Sequence, residues 1–207
     1  MSLDWRKAEK VLYAPAKTPT LIEVPTQTLL CVEGQGSPDD PAFKSAIDLL
    51  YSTSYALKFA PRKGLVIEGY VEYAVYPLEG LWDLKPEAYH QPSWTKDDLR
   101  YTLSIRQPDF ITQAHLESVL PALVKKNPEL DYSLLQLKTV HQGLCVQIMH
   151  TGPFADEPAS FERMEVFCAE NNLERIRRTH REIYLSDFTK TDPQNLKTIL
   201  RIAVKKR

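Results

Sequence analysis

No apolar run in the 207-residue chain approaches the length of a membrane span. The opening residues, MSLDWRKAEK, lack the apolar core of a signal peptide. A soluble, cytoplasmic protein without membrane partners is therefore expected. Cysteine is scarce: Cys31, Cys145 and Cys168 are odd in number, show no CxxC spacing and sit among apolar neighbours. That excludes a disulfide framework and reads as reduced core thiols. His90, His115, His141, His150 and His180 show neither HxxxH nor HxH spacing, so no metal site and no cofactor is expected. Ser186-Asp187 with His180 is not a hydrolase triad, because there is no GxSxG elbow and the acid adjoins the serine. Charge of one sign is missing too. Twenty-six basic and 27 acidic side chains leave −1, which gives no global attraction to nucleic acid. Arg175, Arg177, Arg178 and Arg181, and Lys205-Lys206-Arg207, read as solvated charge, and the stretch ahead of the first strand is too short for a helix-turn-helix. No nucleic-acid partner is expected.

What is present is an α+β alternation. Asp4 to Tyr13 forms a short amphipathic arm. TLIEVPTQTLLCVE, residues 20–33, reads as one long strand bent at Pro25, followed by a turn over Gly34–Asp40 and a helix opening at Pro41 or Ala42. Phe43, Ala46, Ile47, Leu50 and Tyr51 recur at helical spacing and predict its buried stripe. Strands are expected over 65–70 and 71–78, or as one bent strand, and loop over 85–96. A strand over 100–107 turns Tyr101, Leu103 and Ile105 to one side, and a helix capped by Thr112 runs to about Lys126. The same grammar then returns: strand-type sequence over 134–150, a turn at Gly152-Pro153, a helix over 159–171 with Phe161, Met164, Phe167 and Cys168 inward, and strands over 174–185 and 197–205. Setting Gly36 on Gly152 aligns QTLLCVEGQG with GLCVQIMHTG in apolar pattern. The expected architecture is one domain, residues 1–207, built of duplicated βαββ units over about 20–84 and 134–207, joined by a segment over 85–133. The units form a pseudo-two-fold antiparallel sheet with helices on one face and a ligand cleft between the halves.

His180-Arg181-Glu182-Ile183-Tyr184-Leu185, read as a strand, turns His180, Glu182 and Tyr184 to one face and Arg181, Ile183 and Leu185 to the other. Two readings of Glu182 follow from the residues alone. Facing a cavity, it does chemistry or holds a cation; facing water, it is a strand carboxylate paired with Arg178 or Arg181.

The runs YPLEGLW (76–82), YTLSIRQPDFI (101–111), HTGPF (150–154) and EIYLSD (182–187) together resemble the GyrI-like small-molecule-binding family, in order and spacing, from about residue 5 onward. The resemblance implies the paired βαββ units and their cleft. Relatives are effector domains of multidrug-responsive regulators, a gyrase inhibitor, and stand-alone proteins, some of which hydrolyse the cyclopropane of DNA-alkylating compounds. The family glutamate that projects into the cleft corresponds to Glu182, and the tryptophan of PLEGLW is Trp82. Two departures stand out, Asp83 and Tyr101, where stand-alone relatives carry tryptophan.

On this resemblance Glu182 is the expected general base, its pKa raised by an apolar aromatic setting. Tyr184 or Tyr101 is the expected donor to the ring oxygen of a cyclopropane substrate. Trp82, Tyr101, Glu182, Tyr184 and Trp94 are the expected ligand contacts, with ring faces holding a hydrophobic, planar or cationic molecule. The expected function is a stand-alone binder and hydrolase of cyclopropane-type electrophiles, the alternative a non-catalytic sensor. A protein partner in the manner of the gyrase inhibitor has no support, since that relative lacks the YTLSIRQPDF region.

Overall fold

The computed structural model describes residues 3–207. Among these residues the chain forms two short helices, α1 (Trp5–Ala8) and α2 (Lys10–Tyr13), then strands β1 (Thr20–Val24) and β2 (Gln27–Gln35) and helix α3 (Pro41–Phe59). Strands β3 (Leu78–Leu84) and β4 (Leu99–Gln107) and helix α4 (Gln113–Lys126) follow. Next come β5 (Gln136–Val140), β6 (Gly143–Thr151), α5 (Glu157–Glu170), β7 (Leu173–Arg175), β8 (His180–Tyr184) and β9 (Lys197–Lys206). The class is α+β, as expected, and no helix among the described residues is long and apolar enough to cross a membrane.

Two compact units divide the chain. The first comprises residues 27–78 and 84–140 with Leu3 and Asp4; the second comprises 5–26, 79–83 and 141–207. The run expected as one bent strand over 20–33 is therefore two strands serving different units. Pro25 lacks an N–H for a ladder and ends β1. β1 pairs with β6 in the second unit, Thr20 opposite Gln147. β2 pairs with β4 and β5 in the first, Leu30 opposite Ile105 and Leu137. The second unit thus takes an edge strand, β1, from the far end of the sequence.

In the first unit α3 buries Phe43, Ala46, Leu49, Leu50, Thr53, Ser54 and Leu57. The expected stripe is right at its start but rotates past Ile47 and Tyr51, because the helix runs longer than the window that defined it. Thr112 is the N-cap of α4, where its backbone N–H donates to His115 Nδ1 at 3.1 Å. The segment over 65–77 is not a ladder strand, despite its alternation. Tyr73 makes an isolated bridge to Leu3, and Tyr70, Tyr73 and Phe110 pack edge to face at 5.6 to 6.2 Å. Ring packing, with Tyr70 Oη bonded to the Lys58 carbonyl at 2.7 Å, replaces ladder bonds there.

In the second unit β9 is central, with β6 along one edge and β8 and β7 along the other. The expected strand over 174–185 is broken between Arg175 and His180, where the Arg175 guanidinium binds the carbonyls of Arg177, Arg178 and Thr179. Against one sheet face α5 packs Met164 and Cys168 on Val146, Ile148, Leu200, Ile202 and Val204. Against the other lies the N-terminal arm: Gln147 Nε2 donates to the Val11 carbonyl at 2.7 Å and Arg201 to that of Leu12 at 2.9 Å. All three cysteines are buried and free.

Candidate functional site

The β3–β8 ladder sets Gly80 opposite Glu182 and Trp82 opposite His180. Alternation then puts His180, Glu182 and Tyr184 on the face covered by α5, since Glu182 stands opposite Leu200 of the α5-facing core. Arg181 points the other way and bonds the buried Glu79 at 2.8 Å. The shared face expected for the three side chains is therefore real, and of the two partners expected for Glu182 in its solvated reading, Arg178 and Arg181, the second is committed elsewhere.

A chain of hydrogen bonds runs through this face. Trp82 Nε1 donates to Tyr184 Oη at 2.9 Å, and Tyr184 donates its proton to Glu182 Oε2 at 2.8 Å. His180 Nε2 meets Glu182 Oε1 at 2.9 Å. Gly80 makes the room: a Cβ there would lie 2.7 Å from Trp82 Nε1 and 2.9 Å from Tyr184 Oη. Trp82, Glu182 and Tyr184 are buried, and His180, stacked edge-on against Phe161 at 4.8 Å, is the most open of the four. Burial first, then the charge of Glu182, holds the Tyr184 phenol well above its ordinary value.

A second carboxyl joins them. Glu157 opens α5 and is buried, its Oε1 has no partner, and Glu182 is the charge that acts on it. Desolvation, followed by the adjacent Glu182 charge, pushes its pKa up to about 9, although a helix N-terminus favours an anion. At neutral pH it therefore holds a proton. The HTGPF run explains its placement. Gly152 adopts φ 128, a region open to glycine. The His150 ring spans the turn, Nδ1 to Ser160 Oγ and Nε2 to the Pro153 carbonyl, both 3.0 Å. Beyond the turn Phe154, 40% exposed, packs edge-on against Tyr184 and Phe188 at 6.0 and 6.3 Å, and Tyr184 meets Phe188 at 5.6 Å. A carboxyl pair thus adjoins a cluster of rings that is open to solvent at Phe154.

Of the expected site residues, Trp82, Glu182 and Tyr184 come together in this second unit. Tyr101 and Trp94 belong to the first. There Tyr101 is buried edge-on against Phe43 at 5.0 Å and lies over Gly34, while Trp94 is 55% exposed on a loop. Glu157, Phe154, Phe188 and Gly80 were not singled out from the sequence. Glu157 had a signal: one turn before Phe161 and Met164, it extends the inward stripe of α5 back to a carboxyl. The expected start of that helix at Ala159 hid it. No group of His, Cys, Asp and Glu among the described residues has metal-binding geometry. A depression of about 310 Å³ in this unit is lined instead by Arg175, Ile176, Arg177 and Arg178.

The sequence pattern of the GyrI-like small molecule binding domain matches residues 17–205. The chain belongs to the GyrI-like family. Two crystal structures from Listeria innocua are similar to this GyrI-like protein throughout. One, described as a hydrolase, shares 35% identity over 98% of this chain and 100% of its own, with a TM-score of 0.90. Another, described as an uncharacterized conserved protein, shares 36% identity over the same proportions, also with a TM-score of 0.90. The EcmrR C-terminal domain has the same fold at 13% identity, covering 92% of this chain and 98% of its own, with a TM-score of 0.56. No curated protein sequence matches this GyrI-like chain.

Proposed function

We propose that this GyrI-like protein binds hydrophobic, planar or cationic small molecules beside Glu182 and hydrolyses cyclopropane-type electrophiles, with Glu182 taking the proton of the attacking water. The observation that carries this reading is the held carboxylate: Glu182 is fixed from both oxygens by His180 and Tyr184, next to a cluster of aromatic rings. Fixed rotamers keep the base in place through the reaction. Water oxygen bonds to a cyclopropane carbon while the strained C–C bond breaks. Its electron pair passes into the conjugated ring and onto the ring oxygen, and Glu182 accepts the water proton. The oxygen then takes up a proton to complete hydration of the ring. Tyr184 already directs its proton at Glu182, so that proton comes from water. Trp82 is the proposed stacking surface. The likeness to a Listeria protein described as a hydrolase supports this reaction class.

A second reading, non-catalytic binding or sensing, draws on the same hydrogen bonds. With both oxygens of Glu182 occupied, a water must displace His180 or Tyr184 before it is activated. Incubation with a cyclopropane-bearing alkylator, followed by mass analysis, separates the two. Ring-opened product formed by wild type and lost in Glu182→Gln supports hydrolysis; tight binding without product leaves the sensor.

A further inference from the structure

We infer that the depression between β7 and β8 binds a phosphate monoester carried on an apolar body, at a site separate from the Glu182 cluster. It measures about 310 Å³ and is lined by Arg175, Ile176, Arg177 and Arg178, a volume at the lower end of the range for small-molecule sites. These residues occupy a gap in the sheet. β7 ends with Arg175 opposite Val204, and β8 reaches β9 only at Arg181, opposite Arg201. In between, Ile176 keeps one ladder bond, its N–H donating to the Ala203 carbonyl, and the chain then leaves β9. One side chain holds this bulge in place. The Arg175 guanidinium donates to the Arg177 carbonyl at 2.8 Å, to the carbonyls of Arg178 and Thr179, and to Glu165 of α5 at 3.2 Å.

That arrangement sets the sign of the depression. Carbonyl oxygens repel an anion, and here three successive ones are engaged by a cation. Carboxylates near the bulge are engaged too: Glu165 holds Arg175, and Glu174 meets Lys205 at 3.5 Å. Arg177 is exposed and forms no ion pair among the described residues. A guanidinium fork matches phosphate oxygens in pairs. A monoester carries close to two negative charges above its second pKa of about 6, so it gains more from this excess of positive charge than a carboxylate does. Ile176, 45% exposed, is the apolar wall, and it favours an ester with a hydrocarbon body over inorganic phosphate.

Titration calorimetry of the full chain with 1-naphthyl phosphate and with inorganic phosphate tests this. The ester should bind more tightly, and its affinity should fall several-fold from about 50 to about 500 mM NaCl and again from about pH 7.5 to about pH 5. Arg177→Gln combined with Arg178→Gln should weaken it about tenfold, and Ile176→Ser should bring it to the level of inorganic phosphate. All three side chains are exposed, so the variants keep the fold, and the salt and pH dependence is read on wild type alone. Glu182→Gln should leave the affinity unchanged. Ester binding that survives in the double variant, or no ester binding at all, overturns the site. Inorganic phosphate bound as tightly as the ester overturns the apolar wall, and loss of ester binding in Glu182→Gln overturns a separate site. Sedimentation with phosphatidylcholine vesicles containing phosphatidic acid distinguishes the sources of the ester: co-sedimentation lost in the double variant assigns a lipid headgroup, and ester binding without it assigns a free ester.

Discussion

Each unit leaves its first long strand through a glycine in the left-handed region, Gly36 at φ 102 and Gly152 at φ 128, and starts a helix at the same distance beyond, at Pro41 and at Glu157. In the first unit proline fills the first helical position, where a missing N–H costs nothing. In the second, a carboxyl stands there and is buried. Two residues before each glycine the contrast repeats. Gly34 lies opposite Tyr101, whose ring covers it, whereas His150 lies opposite Thr198 and ties the turn to Ser160. The first unit buries the neutral pair Gln107 Nε2 to Ser54 Oγ at 3.0 Å and the Arg106 guanidinium, which lies over the Tyr76 ring at 4.7 Å. The second unit buries Glu79 with Arg181, Arg201 with Gln147, and Glu157 with Glu182. The first unit thus sets its buried guanidinium against a ring, whereas the second sets its buried charges against one another.

The largest test of that contrast is Arg181→Met. It strands the Glu79 carboxylate in the interior and should cost about 3–5 kcal/mol in urea unfolding, most of it recovered when Glu79→Met is added. A cost near zero would mean the buried charge of the second unit is structurally idle. Next comes Gly34→Ala, whose Cβ would fall 2.4 Å from the Tyr101 ring. It should cost about 1–3 kcal/mol by the same measurement, because a buried ring and a ladder backbone have little room to yield. Gly80→Ala should cost about 1 kcal/mol, through the Trp82–Tyr184 hydrogen bond, and shift the tryptophan emission. Unchanged emission would show that Trp82 is not held by Tyr184.

The smallest effect at mildly acidic pH, and the most specific, belongs to Glu157→Gln. A carboxyl held at about 9 against an ordinary 4.5 binds more protons folded than unfolded. Its contribution is therefore complete below pH 4.5 and is lost as pH climbs through about 9. Wild-type melting temperature should fall across that window more steeply than that of the variant. Identical slopes would place the proton elsewhere.

Periodicity made the helices legible because each buries one stripe, and it placed His180, Glu182 and Tyr184 on one face because strand alternation is rigid. Family resemblance pointed to Glu182 and Trp82. Partnership was not legible. Nothing in TLIEVPTQTLL says that residues on the two sides of Pro25 join different ladders, since pairing is decided by distant strands. The alternation in 71–76 satisfied a strand pattern, yet Tyr73 found its partners among rings. Glu157 was hidden by two residues of helix, the ordinary error of a boundary read without its cap.

The late position of the second unit's central strand carries a consequence for synthesis on the ribosome. The ladder strands of the first unit have all been made once Val140 is reached, but the second unit's central strand, β9, runs to Lys206. At about 5–20 residues per second the interval is roughly 3–13 s. β1, made before any other strand, finds β6 soon after Val140, but for most of the interval β6 has no β9 on its other side. The apolar residues Val146 and Ile148 of β6 must wait out that delay, so crowding or slow translation falls hardest on the unit that holds the carboxyl pair.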